Sequence, residues 1–166
     1  MQPDELREVN HRAVAFAKKI KATYPSSPAP IIINGLVGPR GDAYAPTDHI
    51  SASEASEYHA EQMSWLAEAG VDMISAFTIT YSDEAIGIIT AEKNTGLPVV
   101  MSFTVETDGR LPSGQPLKDA IEETDAATGA YAAYYMINCA HPDHFSNVLA
   151  SEDWLKRIGG FRCNAS

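Results

Sequence analysis

The sequence has little cysteine, little positive charge and no long hydrophobic run, and each shortage excludes a class of protein. Two cysteines in 166 residues, Cys139 and Cys163, are too few for the disulfide framework of a small secreted domain. The 12 basic and 22 acidic residues give a formal net charge of −10, which disfavours nucleic acid and anionic membrane surfaces as partners. No apolar run approaches the roughly 20 residues of a membrane span, and the N-terminus lacks a signal-peptide layout. We therefore expect a cytoplasmic protein.

Short apolar runs alternate along the chain with segments of helical periodicity, which is typical of a parallel sheet covered by helices. Ser51 and Glu54 form a predicted capping box at the start of one helix, and Gly70 ends that helix. The predicted helices cover residues 4–23, 51–69, 82–96 and 117–128, with helical turns between 142 and 158. The predicted strands cover residues 31–37, 71–78, 97–105, 134–139 and 160–164.

Two α/β architectures fit this alternation, a five-stranded open sheet and part of a (β/α)₈ barrel. The long loops rich in glycine, proline and polar residues all follow strand ends, and the loops that return from helix to strand are short. A barrel places its active site on that strand-to-helix side, although open sheets also bind ligands at strand ends. A closed barrel needs about 250 residues and eight strands. If the fold is a barrel, we expect a single domain over residues 1–166 that forms a portion of it.

Cys139 is the leading candidate for chemistry, because it ends a predicted buried strand where side chains reach the strand-end site. A thiolate at that position suits zinc binding or nucleophilic catalysis. The alternative is a buried structural cysteine, which is the commoner role of a single cysteine. The spacing alone leaves both interpretations open.

Other residues near strand ends have weaker patterns. His141, Asp143 and His144 could form a hydrolytic metal site, but a proline and an aspartate in this order also start an ordinary helix. Glu106 and Asp108 could act as acid and base, yet exposed loop carboxylates are more often only solvated. We expect Cys163 to be a core residue. The loop GPRGDAY at residues 38–44 lacks the spacing of nucleotide-binding loops.

Several longer motifs occur together and in a fixed order, and with them the chain resembles the homocysteine S-methyltransferase family. The resemblance extends over nearly the whole chain. The motifs are GPRGDAY at 38–44, YHAEQ at 58–62, AGVD at 69–72, SFT at 102–104, DGRLPSG at 108–114 and MINCAHPDHF at 136–145.

The resemblance implies a (β/α)₈ barrel of which this chain holds about strands three to seven, and one zinc ion bound by three cysteines. Cys139 matches the first of these ligands, in an Asn-Cys pair. The adjacent cysteine pair of the family has no counterpart, and Cys163 falls where the family has a small residue. Phe77 stands where many members have a glutamate that holds the amino group of homocysteine. Asn138, Thr78 and Thr80 are the expected substrate-binding residues.

The expected function is therefore transfer of a methyl group to the zinc-activated thiolate of homocysteine, which gives methionine. The expected donor is S-methylmethionine or S-adenosylmethionine, although betaine users share these features. Because the metal site is incomplete, we expect the 166-residue chain alone to be inactive and to self-associate through open barrel edges. One alternative is an inactive barrel fragment or association module. Another is a different enzyme on an open sheet that uses His141, Asp143 and His144.

Overall fold

Five parallel strands alternate with helices in the structure, a computed structural model that describes residues 3–43, 49–149 and 153–165. Tyr44 of the GPRGDAY motif and residues 150–152 of the predicted helical turns lie outside the described residues. The helices are α1 Pro3–Ala22, α2 Ala52–Ala69, α3 Ser82–Glu92, α4 Leu117–Thr128 and α5 Pro142–Phe145, with a 3₁₀ helix over Asp153–Arg157. The strands are β1 Asn34–Val37, β2 Met73–Ile79, β3 Val99–Phe103, β4 Tyr134–Asn138 and β5 Ile158–Arg162.

The strands form one sheet in the order β1-β2-β3-β4-β5, and every neighbouring pair is parallel. A doubly wound open sheet reverses its strand order at a switch point, where helices change from one face to the other. The described strands contain no such reversal. A run of sequential parallel strands joined through helices is the repeating unit of a (β/α)₈ barrel. The predicted barrel type with an incomplete set of strands is thus confirmed.

The two faces of the sheet differ in burial. Side chains alternate between the faces of a strand, and one set packs beneath the helices. Ile74, Ala76, Met101 and Ile137 of that set are fully buried. On the opposite face Leu36 is 53% exposed, and Phe77 is only half-buried. The core therefore lies between sheet and helices, and the other face is partly open in the described structure.

Helix α2 begins and ends as the sequence predicts. The Ser51 side chain accepts a hydrogen bond from the Glu54 backbone N–H, and the Glu54 carboxylate accepts from the Ser51 N–H, which completes the capping box. Gly70 ends the helix in the left-handed conformation at φ 80°. α2 packs closely against α3 at Gly87 of α3. A Cβ added at Gly87 would lie only 2.4 Å from the Ala55 Cβ of α2.

The last predicted segment differs from the structure. β5 begins at Ile158, whereas the sequence predicts helical turns to residue 158 and a strand from residue 160. Gly159 lies inside the strand. A larger residue would not fit at this position, because a Cβ there would come within 2.4 Å of the Tyr134 ring. Just before the strand, Arg157 donates hydrogen bonds to both carboxylate oxygens of Asp125 at 2.7 and 3.0 Å. The pair anchors the start of β5 to α4.

The described residues contain no helix that is long and apolar enough to cross a membrane.

Candidate functional site at the strand ends

A cavity of about 480 Å³ lies at the carboxyl ends of the strands, where a barrel of this type places its site. It receives residues from β1, β2, β4 and β5 and from the segments that follow them. Its lining consists of Leu36, Val37, Gly38, Phe77, Thr78, Asn138, Cys139, Arg162, Cys163 and Asn164.

Two lining residues have backbone conformations that are unusual for their type. Thr78 lies at φ 64° and Cys139 at φ 55°. The left-handed region is unfavourable for side chains with a Cβ and most unfavourable for β-branched ones, so such residues cluster at functional sites. Thr78 lies where the β2–β3 register shifts between Ala76 and Ile79. The two strained residues are in contact, because Thr78 Oγ1 lies 3.9 Å from Cys139 Sγ.

Asn138 connects three strand ends through its side chain. Its Oδ1 accepts hydrogen bonds from the Thr78 N–H at 2.9 Å and from Ser102 Oγ at 2.6 Å. Its Nδ2 donates to Thr78 Oγ1 at 2.8 Å. These bonds stabilise the strained backbone of Thr78 next to Cys139. Asn138 and Thr78 line the cavity, and Thr80 is buried outside the lining. Their role in substrate binding stays a prediction.

Cys139 and Cys163 both line the cavity, the first half-buried and the second exposed. The prediction that Cys163 is a core residue is wrong. It directly follows Arg162, which ends β5, and the residues from Phe161 onward are exposed. The described part of the chain holds no group of three His, Cys, Asp or Glu side chains that could bind a metal ion. Cys139 as a metal ligand stays a prediction.

The histidines after β4 have a local structural role. His141 is the N-cap of α5, and its Nδ1 accepts a hydrogen bond from the Asp143 N–H at 3.2 Å. The rings of His141 and His144 are 6.1 Å apart, and neither lines the cavity. Glu106 and Asp108 are exposed. The helix-start interpretation of this segment therefore fits better than a metal cluster.

A buried hydrogen-bonded pair that the sequence pattern does not reveal holds the loop after β1. Glu84 in the first turn of α3 is fully buried, and its Oε1 lies 3.0 Å from Nε2 of the buried His59. The same oxygen accepts a hydrogen bond from the Arg40 N–H at 2.6 Å. The pair thus fixes the loop that follows Gly38 at the cavity. The signal in the sequence is His59 within YHAEQ, but its partner carboxylate lies in another element.

Tyr81 lies beside this pair. Burial raises the pKa of its hydroxyl above the ordinary value, and the nearby Glu84 charge contributes to the same shift. The hydroxyl accepts a hydrogen bond from the Ile50 N–H at 3.3 Å, and His49 stacks on the ring with the centroids 4.3 Å apart. Tyr81 is therefore a neutral residue that packs the segment before α2 against α3.

Comparison with known proteins identifies the family. The family model described as Homocysteine S-methyltransferase matches residues 1–161. The chain belongs to the homocysteine S-methyltransferase family. Homocysteine S-methyltransferase 1 of Arabidopsis thaliana is 26% identical over 104 residues, which are 61% of this chain and 31% of that protein. The chain spans about a third of that relative, so the activity of the whole relative does not transfer directly.

Solved structures support the fold. The homocysteine methyltransferase MmuM of Escherichia coli in its apo form has a TM-score of 0.77 and 18% identity, with 100% of this chain and 72% of that chain covered. Its metallated form has a TM-score of 0.78 and 19% identity, with 69% of that chain covered. At this identity the likeness shows that this family member shares their fold and covers only part of it.

Proposed function

We propose that this chain binds homocysteine at the strand-end cavity and takes part in transfer of a methyl group to its thiol, which gives methionine. The observation that carries the proposal is the contact between Thr78 and Cys139, two strained residues in one cavity at the carboxyl ends of β2 and β4. Strain of this kind persists only where the surrounding structure maintains it. The hydrogen bonds of Asn138 provide that support.

The reaction requires a thiolate, because the thiol of homocysteine is mostly protonated at neutral pH. A bound zinc ion would supply positive charge that lowers the pKa of a coordinated thiol. Catalytic zinc sites use three protein ligands, and the described residues do not bring three together. We therefore propose Cys139 as one ligand of the metal, and the described residues do not form a complete metal centre. Thr78 Oγ1 is placed to donate a hydrogen bond to Cys139 Sγ, at 3.9 Å.

The methyl donor would be a sulfonium or quaternary ammonium compound, with S-methylmethionine and S-adenosylmethionine as first candidates. The homocysteine sulfur attacks the methyl carbon, and the bond from that carbon to the positively charged sulfur or nitrogen breaks. The bonding electron pair leaves with the donor, which becomes neutral at that atom, and the thiol proton goes to solvent. The contribution of the chain is to bind and orient the thiol for an in-line displacement.

The test combines binding with turnover. Homocysteine is titrated into ¹⁵N-labelled protein with zinc, and methionine is measured by mass spectrometry with each candidate donor in turn. We expect the amide signals to shift around residues 36–38, 77–78, 138–139 and 162–164. The part of these shifts that depends on zinc should disappear in Cys139→Ala and remain in Cys163→Ala. Shifts confined to other parts of the chain, or measurable methionine formation that Cys139→Ala leaves unchanged, would contradict the proposal.

Two further properties belong to this proposal. A cytoplasmic location is supported by the low cysteine content and stays a prediction. Self-association is supported by large apolar side chains exposed on the terminal strands of the sheet, Leu36 on β1 at 53% and Phe161 on β5 at 49%. A second copy of the chain could cover such surfaces.

A further inference from the structure

Arg162 introduces a positive charge into the strand-end cavity. It is the last residue of β5 and pairs in register with Asn138 of β4, and its carbonyl accepts a hydrogen bond from the Cys139 N–H at 3.1 Å. Its guanidinium carbon lies 5.2 Å from the centroid of the Phe77 ring. The backbone of Arg162 is thus fixed beside Cys139, and its side chain reaches across the cavity to β2.

The charge of this guanidinium is not balanced by the protein around it. Arg162 is the sole charged residue among those that line the cavity. Arg162 is exposed, and within the described residues no carboxylate forms an ion pair with it. The cavity therefore favours a ligand that brings a negative charge.

The surroundings also define the geometry of that ligand. A guanidinium over an aromatic face leaves its N–H groups for acceptors such as a carboxylate, which it can bind with two parallel hydrogen bonds. Asn138 is less suited to this role, since the amide is uncharged and one of the two N–H donors of its Nδ2 is already bonded to Thr78 Oγ1. Arg162 is the charged donor of the cavity.

We propose that Arg162 binds the α-carboxylate of the amino-acid substrate and makes the cavity specific for thiols that carry a carboxylate. This inference rests on the proposed function and adds a specificity-determining residue to the same site. A carboxylate anchored on the guanidinium near Phe77 would orient the rest of the substrate from that side of the cavity towards Cys139. The cavity volume of about 480 Å³ accommodates a small amino acid.

The test compares ligands that differ by one group. Homocysteine has all groups, 3-aminopropane-1-thiol lacks the carboxylate, 4-mercaptobutyrate lacks the amine, and norvaline has a methyl group in place of the thiol. Affinities are measured by calorimetry for the natural chain, Arg162→Gln, Arg162→Lys and the control Arg12→Gln, whose arginine is exposed on α1. Thermal unfolding of each variant verifies that it is folded.

We expect the natural chain and Arg12→Gln to bind 4-mercaptobutyrate and homocysteine about ten- to hundredfold more tightly than 3-aminopropane-1-thiol, the range for hydrogen bonds between charged groups. Arg162→Gln should abolish this preference, and Arg162→Lys should retain part of it. A carboxylate preference that persists in Arg162→Gln would overturn the inference even if homocysteine binds through Cys139. If norvaline binds through Arg162 and no thiol binds more tightly than norvaline, the inference stands and the proposed function fails.

Discussion

Glu92 is a buried acid at the end of α3 whose ionisation should make stability depend on pH. Its carboxyl is fully buried, and burial raises its pKa from an ordinary value of 4.5 to about 7. One oxygen accepts a hydrogen bond from Thr95 Oγ1, and the other has no hydrogen-bond partner in the described structure. The folded protein therefore retains a proton that the unfolded chain releases between pH 4.5 and about 7.

From this pKa we expect the free energy of unfolding to fall as the pH rises through that interval, by at most about 3 kcal/mol. Glu92→Gln imitates the neutral acid, so it should gain stability at about pH 8 and change little at about pH 5. Urea unfolding at both pH values measures the effect. Glu122→Gln on the exposed face of α4 is the matched control and should show no such difference. An equal effect of Glu92→Gln at both pH values would show that Glu92 does not titrate in this interval.

At the scale of elements, Glu84 is the residue that joins α2, α3 and the loop after β1. Its carboxylate binds both the His59 ring and the Arg40 N–H. Glu84→Ala leaves a buried imidazole and a backbone donor without their partner, which typically costs about 1–3 kcal/mol for each group. We expect a loss of this size in urea unfolding, together with faster hydrogen exchange of the Arg40 amide.

The adjacent Asp83 is a matched control for this prediction, because it lies in the same turn of α3 and is exposed. Asp83→Ala removes only an acidic side chain near a helix N-terminus, an effect of about 0.3–1 kcal/mol. If both variants lose the same stability, the pair of Glu84 and His59 does not hold the loop.

The order of elements was predictable because each is specified by residues close together in sequence. The capping box of Ser51 and Glu54 fixes the start of α2, and Gly70 fixes its end. The start of β5 was not predictable in this way. It depends on the close approach of Gly159 to the Tyr134 ring and on the pairing of Arg157 with Asp125, which are contacts between distant segments. Local pattern carries no information about them.

The same distinction applies to the candidate site. Cys139 could be selected because it ends a buried strand, and the structure places it at the cavity. The left-handed conformation of Thr78 could not be anticipated, since a threonine in a strand normally has extended backbone. The contact of the Arg162 guanidinium with the Phe77 ring joins β5 to β2, and only the arrangement of strands brings the two together. The position of a single candidate residue such as Cys139 was therefore predictable. Contacts between residues of different strands were not.

At the scale of the whole molecule, the sheet ends at two strands that each have one neighbour among the described strands, β1 and β5. Leu36 on β1 is more than half exposed, and such a side chain on a terminal strand favours pairing with another chain. We expect the natural chain to form dimers or larger species that dissociate on dilution, as measured by sedimentation velocity over a wide concentration range.

Leu36→Lys should shift this equilibrium towards the monomer, because a charged side chain opposes burial in an interface. Tyr24→Lys provides the control, since Tyr24 is 61% exposed but follows α1 and is not part of a strand. A natural chain that sediments as a monomer at every concentration, or equal effects of both substitutions, would show that β1 is not the associating edge.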